Sequence, residues 1–225
     1  MLGDIDQGVA SAYVSSFADD TRVLGKVVNN QDVENLQSDL DTIYQWSNAN
    51  NALFNSDKFE CLRYGPNVEI KHSTHYVSDL GTEIEQKDNV KDLGITMSAD
   101  ATFNTHIHKS AQSANQVCGW IFRTFSTRAR TPMLLLWKSL VQATLDYCCQ
   151  LWSPNTPGQI QMLEMVARNF IRQIKGLRHL SYWQQLAHLH MYSQQRRRER
   201  YMIIYIWKIL EGHVPNFGIS INYHI

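Results

Sequence analysis

No stretch of this 225-residue chain approaches the roughly 18 apolar residues that a membrane-spanning helix needs. The longest apolar run, residues 201–207, is far too short, which excludes a membrane partner of the helical-span kind. The first residues, Met1-Leu2-Gly3-Asp4-Ile5-Asp6, carry neither the basic stretch nor the apolar stretch of a secretory signal, so an intracellular protein, nuclear or cytoplasmic, is expected. Cysteine is sparse. Cys61, Cys118, Cys148 and Cys149 form no Cys-x-x-Cys pair, and the adjacent Cys148 and Cys149 cannot both serve one ordinary zinc finger. Reduced, mostly buried thiols are expected. The pairs His106-x-His108 and His188-x-His190 lack cysteine or acidic partners at finger spacing. Repeats and low-complexity tracts are absent too, and 44% hydrophobic against 19% charged residues fits a globular chain.

Net charge is zero, but it is unevenly placed. Residues 1–100 hold 7 Lys+Arg against 17 Asp+Glu, and residues 101–225 hold 14 against 4. An acidic part can hold divalent cations and a basic part can hold phosphates. The alternative is that the two parts simply attract each other. The change of pattern puts a boundary near Asp100, with an acidic α+β domain over 1–100 and a basic helical one over 101–225.

Residues 10–17 and 21–28 read as two strands around a short acidic link, a β-hairpin that presents Asp19 and Asp20 at its tip. Asn29-Asn30 can cap a helix that runs to about Asn50, with Val33, Leu36, Leu40, Ile43 and Tyr44 inward and Glu34, Asp39 and Asp41 facing water. Residues 53–64 read as a turn leading into a strand, then come a turn at Gly65-Pro66-Asn67 and short strands near 68–70, 75–77 and 83–85. Residues 90–97 close the β-rich part. Beyond Thr102 helices are expected. The first carries Phe103, Ile107, Ala111, Ala114, Val117 and Ile121 on one stripe. The second is opened by Pro132 and carries Leu135, Leu136, Leu140 and Val141. A third carries Ile160, Leu163, Val166, Phe170, Ile171 and Ile174. Two more span about 183–189 and 194–210.

Adjacent carboxylates at a hairpin tip can ligate Mg²⁺, a hard ion that prefers oxygen. As a four-residue motif Phe17-Ala18-Asp19-Asp20 is also compatible with an ordinary solvated turn. Its companions add to it. In order along the chain come Ser16-Phe17-Ala18-Asp19-Asp20-Thr21, the helix end Tyr44-Gln45-Trp46-Ser47-Asn48-Ala49-Asn50, then Leu53-Phe54-Asn55-Ser56-Asp57-Lys58, then Val90-Lys91-Asp92-Leu93-Gly94-Ile95. This series resembles the palm motifs of reverse transcriptases from non-LTR retrotransposons, most closely the Jockey-like group. Residues 137–145, 147–154 and 161–174 resemble the thumb and connector of the same proteins. The similarity runs from about Asp6 to Pro215.

The resemblance implies an α+β fold: a truncated polymerase palm (hairpin, helix and short antiparallel strands) followed by an all-α thumb and connector. It implies RNA-directed DNA polymerase activity in the intact family, with Mg²⁺ as cofactor and an RNA template, a DNA primer and dNTP as partners. Asp19 matches the metal-binding aspartate and Asp20 its acidic neighbour. Lys58 matches the lysine that approaches the nucleotide phosphates, where a cation meets developing negative charge; an exposed strand-end lysine is the alternative. Leu93 and Gly94 match the primer grip, with a β-bulge glycine as the alternative. Lys109, Arg123, Arg128, Arg130 and Lys138 are candidates for phosphate contacts, against an ordinary solvated helix face. The run Arg196-Arg197-Arg198-Glu199-Arg200 has three readings: nucleic-acid binding, nuclear import, or solvation of a helix start. The family's upstream aspartate strand, its glycine-rich motif and the fingers have no counterpart in these residues. The expectation is therefore a fragment without activity of its own; a non-catalytic nucleic-acid-binding helical module, or a transposon-derived remnant, is the other reading.

Overall fold

The computed structural model describes residues 4–55, 58–65 and 68–214. Met1, Leu2, Gly3, Ser56, Asp57, Pro66, Asn67 and Pro215, on which expectations above fall, lie outside the described residues. The fold is α+β, and the chain divides into two compact units between Thr102 and Phe103.

In the first unit β1 (Tyr13–Phe17) pairs antiparallel with β2 (Asp20–Leu24), from Tyr13 opposite Leu24 to Phe17 opposite Asp20. Ala18 and Asp19 alone make the turn. Pairing stops at Leu24, short of the expected residue 28. At Gly25 the backbone crosses α1 so closely that a Cβ would stand 2.8 Å from the Leu36 side chain. Helix α1 (Asn30–Ala49) begins with a reciprocal cap: Asp32 N–H donates to Asn29 Oδ1 (3.0 Å) and Asn29 N–H donates to Asp32 Oδ2 (3.1 Å). Its inner face gives Leu40 and Tyr44 to a core completed by Tyr76, with Val23, Leu36, Phe54, Phe59, Cys61 and Ile84 packed around it.

Asp39 does not face water as its polarity suggested. It is buried at 4% exposure and accepts the backbone N–H groups of Ala10 (2.8 Å), Ser11 (2.9 Å) and Ala12 (2.7 Å), together with the Ser11 hydroxyl. Position 39 lies four residues before Ile43 and eight before Ser47, both buried, so it shares their face.

β3 (Glu60–Leu62) pairs parallel, not antiparallel, with β4 (Glu85–Lys87). A parallel pair needs a crossover connection, and the chain between contains α2 (Val68–Ser73) where a strand was expected at 68–70. The Arg63 guanidinium holds this turn of helix by donating to the Ile70 carbonyl (3.4 Å) and to the Thr74 hydroxyl and carbonyl. The expected strands at 75–77 and 83–85 shrink to one bridge, Val77 opposite Glu83, ahead of β4. β5 (Asn89–Asp92) and β6 (Ile95–Ser98) form a second antiparallel hairpin.

The second unit is helical. α3 (Asn104–Thr124) buries Ile107, Ala111, Ala114, Cys118 and Ile121, so Cys118 rather than Val117 faces inward. α4 (Arg130–Leu136) continues through a π-helical turn (Trp137–Val141) into α5 (Gln142–Asp146). Arg130, not Pro132, opens it. Its buried row is Met133, Trp137, Val141 and Leu145; Leu135 is exposed. α6 (Cys149–Trp152) and α7 (Pro157–Ile171) follow, the latter with Pro157 at its start and Thr156 as cap. α8 (Tyr182–Leu189) and α9 (Gln194–Leu210) complete the described chain. Phe170 stacks 5.1 Å from Trp137 and 5.3 Å from Phe122. Buried Glu164 on α7 accepts Gln194 N–H (2.9 Å), Gln195 N–H (3.3 Å) and the Tyr182 hydroxyl, fixing α8 and the start of α9. Burial first, then that hydrogen bond, push the Tyr182 phenol up. All four cysteines are free thiols; Cys118 and Cys149 are buried and Cys148 is exposed. Among the described residues no helix is long and apolar enough to cross a membrane.

Removing the Asp39 carboxylate strands three backbone donors. Asp39→Ala should cost roughly 3 kcal/mol, since charge-assisted bonds are lost and buried donors are left unpaired. Loss of hydrogen-exchange protection at Ala10–Ala12 relative to wild type checks it; unchanged protection would contradict the clamp. Burial works to raise the Asp39 pKa, but the Ser11 hydroxyl and the three N–H groups outweigh it, so it sits below its ordinary 3.8. A lowered folded pKa means the stabilisation is present above the ordinary value and is lost as pH falls below it. Asp39→Asn should flatten that acid limb of the stability curve, measured by denaturant titration between neutral and acid pH.

Candidate functional site

The β1–β2 turn presents Asp19 in the loop and Asp20 as the first residue of β2, both exposed. A two-residue link matches the strand twist only when its first residue is left-handed, and Ala18 takes that conformation at φ 53°. For a residue with a Cβ this costs about 1–2 kcal/mol. Just below the tip, Ser16 and Thr21 face each other across the strands with hydroxyls 3.2 Å apart.

Leu93 and Gly94 form the tip of the second hairpin, both left-handed at φ 43° and 86°, between Asp92 and Ile95. Leucine in such a turn is uncommon, and glycine beside it adopts the conformation freely. The two hairpins are joined. Arg22 Nε on β2 meets Asp92 Oδ1 at the end of β5 at 2.8 Å. Sequence reading passed over Arg22, and it had no signal by which to match it to Asp92 seventy residues away. The pair is partly exposed, so its energetic contribution is about 0–1 kcal/mol; it is a direct link between the two hairpins.

Lys58 is exposed two residues before β3, its N–H donating to the Asn55 carbonyl (3.0 Å). Among the described residues no group of three or more His, Cys, Asp or Glu side chains is gathered as a metal site. A two-metal centre draws carboxylates from more than one strand. Asp19 and Asp20 come from one tip, so the described donor set does not make up such a centre.

In the helical unit Lys109 and Arg123 are exposed on α3, about 21 Å apart along its axis at 1.5 Å per residue. Arg123 also lines a cavity of about 590 Å³ with His108, Gln112, Asn115, Gln116 and Met162. Arg130 and Lys138 are exposed on the following helix. Arg128 is differently placed. Its guanidinium donates to the carbonyls of Phe122 (2.9 Å), Phe125 and Thr127 (2.9 Å) and lies 5.3 Å from the Phe122 ring. It closes the end of α3 on itself. The arginine run at the start of α9 is also divided. Arg197 pairs with Asp146 at 2.8 Å, and Arg198 is buried against Trp152, while Arg196 and Arg200 are exposed near Tyr192.

The chain is similar to an uncharacterized protein of Caenorhabditis elegans, 28% identical over 132 residues that cover 56% of this chain and 67% of that protein. No protein-family profile matches the chain. No solved structure matches it.

Proposed function

We propose that this chain is a portion of an RNA-directed DNA polymerase of the non-LTR retrotransposon kind. Residues up to about 100 correspond to part of the palm, and the helical unit to the thumb and connector. Asp19 and Asp20 serve as its metal-facing carboxylates, Lys58 as the phosphate-facing cation, and Leu93 and Gly94 as the primer grip. One observation supports this beyond sequence resemblance. The two turns that the resemblance assigns to metal and primer are the tips of two hairpins tied together by Arg22 and Asp92. Mg²⁺ needs a further carboxylate from another segment, so the 225-residue chain alone does not polymerise. Lys109, Arg123, Arg130 and Lys138 supply sequence-independent phosphate contacts, and Arg128 holds the helix that carries Arg123.

Primer extension on an RNA template tests the reading. The chain alone should give none. Supplied with a segment carrying fingers and the upstream aspartate strand, it should extend, and Asp19→Ala should return extension to background. Equal extension with Asp19→Ala overturns the assignment of Asp19; Mg²⁺-dependent extension by the chain alone, abolished by Asp19→Ala, overturns its inactivity.

The excess of basic residues beyond residue 100 favours a second reading, a non-catalytic nucleic-acid-binding module. Four phosphate contacts at about 0.9 each predict a log–log salt slope of about −3 to −4 for duplex DNA. Replacing Lys109, Arg123, Arg130 and Lys138 by Gln should bring the slope toward zero in a filter-binding titration. A wild-type slope near zero excludes phosphate contacts in both readings.

A further inference from the structure

The last two turns of α9 are apolar and face solvent. Ile203 is 67% exposed and Trp207 51%, Ile204, Ile206 and Leu210 are exposed as well, and of residues 203–210 Ile209 alone is buried. The helix rests on its unit along the line of its buried residues, Gln194, Arg198 and Ile209. At 100° per residue Trp207, nine positions after Arg198, stands on the opposite side. Arg196, Arg200, Ile203, Trp207 and Leu210 share that outer side, spaced four, three, four and three. This is the spacing by which one helix packs along another. Soluble monomers rarely leave such an apolar strip uncovered.

The charges on the same side run against the helix's own dipole. A helix is positive at its N-terminus and negative at its C-terminus. Yet α9 has no acidic residue in its first turn, carries Arg196 there and Arg200 one turn later, and ends on Glu211. Lys208, the basic residue of the last turn, lies about 100° round from Trp207. Among the described residues no carboxylate pairs with Arg196 or Arg200, and no cation with Glu211. The two guanidinium groups lie only near the Tyr192 ring, at 6.0 and 5.9 Å. A second helix laid antiparallel, with the same charges, supplies what each end lacks.

We propose that the outer side of α9 pairs antiparallel with α9 of a second copy of this chain. The twofold axis lies level with Tyr205 and Ile206. Arg200 of each copy then meets Glu211 of the other, and Trp207 packs on Ile203 and Ile204 of the other. Parallel pairing would set Arg200 against Arg200 and Glu211 against Glu211, so like charges oppose it. A few apolar side chains per copy cover less than the roughly 1,200 Å² of a standard interface, so a dissociation constant of about 10–100 µM is expected. The contact uses none of the residues assigned to polymerisation, so it stands or falls apart from that reading.

Sedimentation equilibrium of the full chain, from about 1 to about 500 µM, tests it. Wild type should pass from monomer to dimer, and Trp207→Glu should weaken dimerisation at least about tenfold. Arg200→Glu and Glu211→Arg should each weaken it about fivefold or more, because a reversal puts like charges at both symmetric contacts. An equimolar mixture of those two variants should recover the wild-type constant, since each supplies the charge that the other has lost. All three positions are exposed, so the circular dichroism of every variant should match wild type. A monomer at every concentration overturns the proposal, and growth past the dimer overturns a closed twofold contact. Unaltered association in Trp207→Glu places the contact elsewhere and refutes the face. No recovery in the mixture refutes the antiparallel register.

Discussion

The position of the aspartate hairpin depends on one buried carboxylate. A two-stranded ribbon is marginal in water by itself, and β1–β2 has no third strand among the described residues. Its place is set by Asp39 of α1, which takes the N–H groups of Ala10, Ser11 and Ala12 in succession. These precede β1 directly, so the clamp fixes where pairing begins and hence where Ala18 and Asp19 must turn. Gly25 performs the matching task after β2, letting the backbone leave the ribbon against Leu36. Between them Val23 reaches the Leu40 and Tyr44 core. The tip is therefore held from its base, while its carboxylates remain in solvent. Glu164 solves the same problem in the helical unit. There too a buried acid on a helix takes backbone donors from a distant segment, at Gln194 and Gln195.

What could be read from the sequence follows from the range of the forces involved. The Asn29 cap and the ends of α1 are decided within a few residues, and they stand where the pattern put them. Asp39 was misread because hydropathy assigns an aspartate outward, whereas its phase with Ile43 and Ser47 points inward. Residues 68–70 were misread because two β-branched residues around Glu69 fit either state. Arg63 decides it from outside the segment by holding the carbonyls of Ile70 and Thr74. The Arg22–Asp92 pair, which links the two hairpins, depends wholly on tertiary placement.

Charge counting was the least faithful guide. Arg128 is engaged on the carbonyls that end α3, Arg197 on Asp146, and Arg198 on Trp152 and Leu145. A guanidinium can stack and donate in several directions at once, which suits it to closing helix ends and filling polar gaps. The basic excess beyond residue 100 thus overstates the charge available to phosphates. The candidates still free to act are the exposed Lys109, Arg123, Arg130 and Lys138.

The direction of Lys138 depends in turn on a departure from regular helix. Met133, Trp137, Val141 and Leu145 are spaced by four and are all fully buried. In a 3.6-residue helix each four-residue step overshoots a full turn by about 40°, so Leu145 would drift about 120° from Met133. A continuous α-helix could not keep both ends of that row in the core. The wider π-helical turn over Trp137–Val141 takes up the difference and keeps the row on one face. Helical-period reasoning gave this helix Leu135, Leu136, Leu140 and Val141; Val141 is buried, whereas Leu135 and Leu140 are exposed. Lys138 lies inside the widened turn, next to fully buried Trp137. Its exposure to any phosphate therefore follows from the packing of Trp137 on Phe170, not from the local sequence around the lysine.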